Sequence, residues 1–274
     1  MIKNFAQLES KMTNMANKPT IVLAGNADEL SMEALRLAQE KWGVNHILGG
    51  TATEAVDLIK QGKGSVLMKG GLPTGQLLKA VVDKQNGIGL GGLMSHLGAF
   101  QTPNYHKLMF VTDGGMVTNP DVEHKAQILK NALGFLRSVG YEQPKVAALC
   151  AVETVSDKMQ ETVDANKLAE RGKTGEFGNC IIEGPIAFDL AVSKKSAELK
   201  GYVSQIAGET DLFLTPNISS GNILGKTLVY MGQAIMAGCV LGAKVPIVLV
   251  SRGATTEEKV ASMALALSVD IKDN

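Results

Sequence analysis

The sequence predicts an α/β protein, a parallel sheet with helices on its faces. Three observations predict it. Short apolar, β-branched runs alternate with helically spaced segments along almost the whole chain. The alternation breaks once, in the glycine-rich stretch GIGLGGLMSHLGAF at 87–100. The chain has 274 residues, 45% hydrophobic and 20% charged, enough for one large domain or two modest ones.

Taken in order, PTIVLAG (19–25) reads as a strand. SMEALRLAQEKW (31–42) has the apolar spacing of a helix, with Ser31 placed as its N-cap. HILGG reads as a short strand, and TATEAVDLIKQG as a helix stopped by Gly62. SVLMKGG and LPTGQLLKAVVD repeat the pattern. The glycine-rich stretch then leads into a strand, and KLMFVTDGG follows without a helix between. That predicts a hairpin or a change of sheet, and a domain boundary. The rhythm resumes with helix 121–139, strand KVAALCAV, helix 158–171, strand NCIIEGP, helix 187–197, strand DLFLTPN and helix 223–241. Strand PIVLVS and a helix over 255–269 complete it.

Lys+Arg and Asp+Glu are both 27, so the net charge is zero. Neither this balance nor any block of like charge supports a general nucleic-acid or membrane-surface role, so any anion is expected to be bound by a local site. Cys150, Cys180 and Cys239 form no CxxC or His/Cys cluster and read as reduced core thiols of a cytosolic protein. The N-terminal MIKNFAQLESKM is amphipathic, without the apolar run of a signal peptide. Apolar stretches elsewhere are interrupted before ~18 residues, so no membrane span is expected.

The chemistry-bearing residues sit where strands end. In VPIVLVSRGATTEE, Ser251 and Arg252 follow a strand and precede a helix. Ligands of open parallel sheets lie outside the carboxyl ends of the strands. A helix start offers free N–H groups to an anion, and a guanidinium grips phosphate bidentately. The plainer alternative is that Thr255 or Thr256 caps the helix, with Glu257 and Glu258 in its first turn. FLTPNISSGNILGKTL repeats the layout with Asn217, Ser220, Gly221 and Asn222, and LMKGGLPTG with Lys69 and Thr74. Ordinary βα loops are the alternative for both. Glu183, Asp189 and Asp113 at further strand ends favour structural capping or substrate orientation, since no third metal ligand stands at fixed spacing. Among the histidines, His46 and His124 read as surface or cap residues, while His96 beside Ser95 is no catalytic pair without geometry. No strand-linked GxGxxG precedes a helix, so a nicotinamide site is poorly supported.

SHLGAFQTPNYHKLMFVTDGGM, EGPIAFDLAVS, TPNISSGNILGKTL and VPIVLVSRGATTEE together resemble the phosphate acyltransferases, the butyryl-transferring members most and the acetyl-transferring ones next. The resemblance covers roughly residues 60–270. It implies two α/β domains with a cleft between them, like those of isocitrate and isopropylmalate dehydrogenases. The first would hold 1–87 and 236–274, the second 88–235. It implies a homodimer or larger assembly that moves a short acyl group, butyryl or acetyl, reversibly between coenzyme A and inorganic phosphate. Acyl-CoA, phosphate and acyl phosphate are then the partners, with no resident cofactor, metal or nucleic acid. Ser251 and Arg252 would hold the phosphoryl end, and Glu258, or else Glu257, would take the thiol proton. Lys69, Thr74, Lys79, Ser95, Asn217, Ser220, Gly221 and Asn222 would contact substrate. Two positions depart from the family pattern. Lys79 stands where arginine is common, and Gly89 replaces the arginine of a GLRTG stretch. A silent CoA- or phosphate-binding protein, or a dehydrogenase of the same fold, are the competing readings.

Overall fold

The structure, a computed structural model, describes residues 1–250 and 253–269. It divides into two compact units. One is discontinuous, Asn4–Met94 with the segment from Met236 onward, and the other is inserted, Ser95–Ile235 joined by Met1–Lys3.

The discontinuous unit opens with α1 (Phe5–Thr13), which buries Phe5, Leu8 and Met12. Strand β1 (Thr20–Ala24), helix α2 (Glu29–Trp42), strand β2 (Asn45–Leu48), helix α3 (Ala52–Lys60), strand β3 (Val66–Lys69) and helix α4 (Thr74–Val81) follow. Asp28, not Ser31, caps α2; its side chain accepts from the Ser31 N–H. Thr51 and Glu54 close a capping box on α3.

The inserted unit begins with β4 (Ser95–Gln101) and β5 (Met109–Thr112), paired antiparallel as the missing helix implied. Helix α5 (Val122–Ser138), strand β6 (Lys145–Leu149), helix α6 (Gln160–Lys173) and strand β7 (Ile181–Ile186) continue. The helix expected at 187–197 is two short ones, α7 (Phe188–Val192) and α8 (Lys194–Leu199). Extended Ser193 breaks them and caps the second. Strand β8 (Leu212–Leu214) and helix α9 (Ile218–Tyr230) complete the unit, whose strands run in the order β4-β5-β8-β6-β7. All pairings after the first are parallel.

The chain then returns with β9 (Ile235–Leu241), β10 (Ile247–Val248) and α10 (Thr256–Leu267). Here the sequence reading needs correction. A helix was expected through 241, but α9 ends at Tyr230 and IMAGCVL is a strand. Its last five residues are all buried, and a continuous apolar run carries no period to tell strand from helix. In this unit β1 pairs parallel with β2 and β3, β3 with β10, and β9 lies antiparallel to β10. The α/β class expected from the alternation is the class observed.

A buried ion pair fixes the amino ends of three strands in the inserted unit. Lys107, only 6% exposed, donates to Asp211 Oδ1 at 2.5 Å and to the Glu209 carbonyl at 2.8 Å. The other oxygen of Asp211 accepts the Lys145 N–H at the start of β6. Removing the amine leaves a carboxylate without its countercharge in the core. Lys107→Ala is therefore expected to destabilise the protein by about 3 kcal/mol or more in urea unfolding.

Candidate functional site

In the inserted unit the expected residues gather where β5 and β8 end and α9 begins. Asp113, 2% exposed, follows β5. Its carboxylate accepts three backbone N–H groups, from His96 at 2.8 Å, Gly115 at 2.7 Å and Met116 at 2.8 Å. That ties the start of β4 to the Gly114–Gly115 turn. Thr215, at the end of β8, donates its hydroxyl to the carbonyls of Thr112 and Asp113. The first turn of α9 lies directly on this loop. A Cβ on Gly221 would come within 2.6 Å of the Asp113 carbonyl and 2.7 Å of Gly114 Cα. Asn222 Nδ2 donates to the Gly114 carbonyl at 3.3 Å. Asp113 thus acts as a structural cap, one of the two roles its position suggested.

Asn217 caps α9. Its Oδ1 accepts from the Ser220 N–H at 3.0 Å and the Ser220 hydroxyl at 3.1 Å. Asn217 and Ser220 line a cavity of about 820 Å³ within this unit. The cavity is walled by the ends of β6 and β8, by Phe188, and by the first turns of α5, α6 and α9. Lys125 of α5 and Asp164 of α6 meet in its wall at 2.7 Å, both buried, and Gln160 donates to the other Asp164 oxygen. Cys150, just after β6, also lines it. Burial, reinforced by Glu161, pushes the Cys150 thiol up to about 12. Burial alone does the same for Cys239 in β9.

Ser95 does not line this cavity; its buried hydroxyl accepts from Asn131 of α5 at 3.0 Å. His96 presents a buried Nδ1 without a hydrogen-bond partner among the described residues. Burial lowers its pKa, opposed by the Asp113 charge.

The remaining expected residues belong to the discontinuous unit. Lys69 ends β3 and donates to the carbonyls of Gly70 at 3.0 Å and Leu72 at 3.3 Å. Gly70 and Gly71 pack on the exit of β1 by donating to Ala24 and Asn26. Thr74 is the first residue of α4 and Lys79 lies in its last turn, both exposed. Glu258 is the third residue of α10 and completes a capping box: it accepts the Thr255 N–H at 2.9 Å, and Thr255 Oγ1 accepts the Glu258 N–H at 3.2 Å. Gly89 is exposed, and a Cβ there would make only ordinary contact with Val81, so a side chain fits. Ser251 and Arg252 lie outside the described residues.

The sequence reading missed Lys125, Gln160 and Asp164. Lys125 did leave a signal, since it falls on the apolar stripe of α5 with Leu129, Ala132 and Leu136. Nothing in the sequence named its partner.

A family described as "Phosphate acetyl/butaryl transferase" matches residues 39–267. The phosphate butyryltransferase of Clostridium acetobutylicum is 36% identical over 252 residues, covering 90% of this chain and 84% of its own. The phosphate acetyltransferase of Rhizobium meliloti is 38% identical over 215 residues, covering 78% and 68%. The crystal structure of a branched-chain phosphotransacylase from Enterococcus faecalis V583 superposes with a TM-score of 0.82 at 27% identity, covering 91% of this chain and 98% of that one.

Gly221 is where the site geometry is least forgiving, since the atoms a methyl group would meet are backbone. Gly221→Ala is expected to destabilise the protein by about 1–3 kcal/mol and to lower the thermal midpoint, read by calorimetry.

Proposed function

This chain belongs to the phosphate acetyl/butyryl transferase family, and we propose that it transfers a short acyl group reversibly between coenzyme A and inorganic phosphate. The family match over residues 39–267 carries the reading, because it spans every residue expected to contact substrate. A dehydrogenase of similar architecture is not favoured by this membership.

In the forward direction a phosphate oxygen attacks the thioester carbonyl, the carbon–sulfur bond breaks, and CoA leaves to take up a proton. In reverse, the CoA thiol loses its proton and the sulfur attacks the acyl phosphate. A free thiol has a pKa near ~8.5 and is mostly protonated at neutral pH, so a base assists. Glu258 takes that role by resemblance, with Glu257 beside it in the same turn. In its capping box Glu258 carries the Thr255 N–H on one oxygen, Oε2. Arg252 offsets phosphate charge, and Ser251 donates to phosphate or the developing oxyanion. Holding both reactants in line supplies much of the acceleration.

The three free cysteines suit a reducing compartment, which supports a cytosolic location. No helix among the described residues is long and apolar enough to cross a membrane. A second copy of the chain is the partner that fits α9. Ile223, Tyr230 and, just past the helix end, Met231 are 66%, 78% and 80% exposed, and the helix contains no acidic residue. These exposed apolar side chains, with Lys226 as the one charge in the helix, support an interface, and a two-fold contact sets the face against its own copy.

Incubation of acyl-CoA with phosphate and a thiol-trapping reagent tests the reaction. Phosphate-dependent release of CoA is expected. Arg252→Ala should reduce it by about 10²-fold or more with the thermal melt unchanged; near-native turnover in that variant would sink the assignment. Tyr230→Glu should shift the protein from dimer to monomer in light scattering, and a wild type that is monomeric at every concentration would end the dimer proposal.

A further inference from the structure

We propose that Lys125 is a catalytic residue of the acyl transfer. Its buried ammonium donates to the carbonyl oxygen of the thioester and holds the negative charge that oxygen gains when phosphate attacks. The inference rests on the acyl-transfer reading and adds a group which that reading does not name.

The inserted unit buries two lysines, and they differ in how much of the ammonium is used. An ammonium has three N–H donors. Lys107 has three oxygens in reach: Asp211 Oδ1 at 2.5 Å, the Glu209 carbonyl at 2.8 Å and Glu209 Oε2 at 3.5 Å. Lys125, 5% exposed, has one, Asp164 Oδ2 at 2.7 Å. Among the described residues its other two N–H groups have no acceptor. A buried donor left unpaired is costly. Lys125 lines the cavity of about 820 Å³, so the acceptors it lacks must come from whatever fills that space. Stability alone does not account for the pair, since apolar residues of similar volume would serve the core as well without the desolvation cost.

Lys125 stands in the first turn of α5, at the cavity where β6 and β8 end. Ligands of parallel sheets bind on that side. Asp164 is not free to meet substrate, because Oδ2 holds the ammonium and Oδ1 accepts from Gln160 Nε2 at 2.8 Å. The carboxylate therefore aims the ammonium and balances its charge at rest. The charged residues lining the cavity are Lys125 and Lys167 against Asp121, Glu161 and Asp164, which leaves no positive surplus for a phosphate dianion. A neutral oxygen fits better, and the thioester carbonyl is one until it is attacked. A phosphate oxygen then bonds to the carbonyl carbon and the π pair moves onto the carbonyl oxygen. The pair returns as the carbon–sulfur bond breaks and CoA leaves. Full negative charge sits on that oxygen only between the two events. A donor already in place binds this state more strongly than the substrate, which is the condition for raising turnover.

Phosphate-dependent CoA release is compared between the wild type and Lys125→Met/Asp164→Leu, which removes both charges together and leaves neither buried alone. The expected result is a fall in kcat of about 10²-fold, with KM for acyl-CoA and for phosphate unchanged. Native turnover in the folded double variant overturns the proposal. So does an effect confined to either KM, which would make Lys125 a ground-state binding group. A second readout is the infrared stretch of butyryl-CoA labelled with ¹³C at the carbonyl and bound in the absence of phosphate. It should lie at lower frequency on the wild type than in water, and the double variant should lose that shift. If the variant does not fold, an unshifted stretch on the wild type overturns the proposal by itself. A shift that the variant loses, in a protein from which phosphate releases no CoA, keeps the Lys125 contact while the acyl-transfer reading falls. Should the thioester not bind at all, both fall.

Discussion

The inserted unit depends on one carboxylate. Asp113 accepts three backbone N–H groups at the end of β5. Bonds from N–H groups to an ionised acceptor are stronger than neutral ones, and a buried carboxylate that lacked them would be costly. Because all three donors belong to the main chain, they fix the backbone itself. The Gly114–Gly115 turn is held flat enough for α9 to settle on it through Gly221. The position of Asn217 and Ser220 at the cavity wall follows from that seating. His96 shares the arrangement: its N–H is one of the donors, while burial lowers the pKa of its ring against the opposing charge of Asp113.

The two buried lysines of this unit serve different ends of the strands. Lys107 with Asp211 closes the amino ends, where no ligand is expected. Lys125 with Asp164 sits where the strands finish, in the wall of a cavity. Desolvating two charges costs about as much as their attraction returns, so neither pair is a large source of net stability. What they provide is definition. A paired charge tolerates few alternative positions, and the second pair holds the first turns of α5 and α6 in fixed relation. The shape of the cavity rests on that relation as much as on its apolar lining.

Much of the architecture was legible because its signals are local. Strand runs, the helical periods of α2 and α5, and the helixless step from β4 to β5 all lie within short windows of sequence. The failures have local causes too. IMAGCVL has no period because it is an unbroken apolar run whose last five residues are all buried, and the break at Ser193 is set by backbone that extends where helical spacing continues. Asn217, Ser220, Gly221 and Asn222 were named together from one loop, and the structure divides them. Gly221 and Asn222 hold the loop, whereas Asn217 and Ser220 face the cavity. Ser95, picked out in the glycine-rich stretch, spends its hydroxyl on α5. Lys125 and Asp164 are 39 residues apart, and a pairing at that range leaves no imprint on either helix alone.

The buried thiols have a practical consequence. Cys150 and Cys239 sit near pKa 12, and burial raises Cys180 as well. Only the thiolate reacts with disulfide or maleimide dyes. At mildly alkaline pH the native enzyme therefore adds little colour of its own to such a dye. A slow rise that continues after substrate is exhausted would report molecules that have begun to unfold, so one cuvette records both turnover and loss of structure.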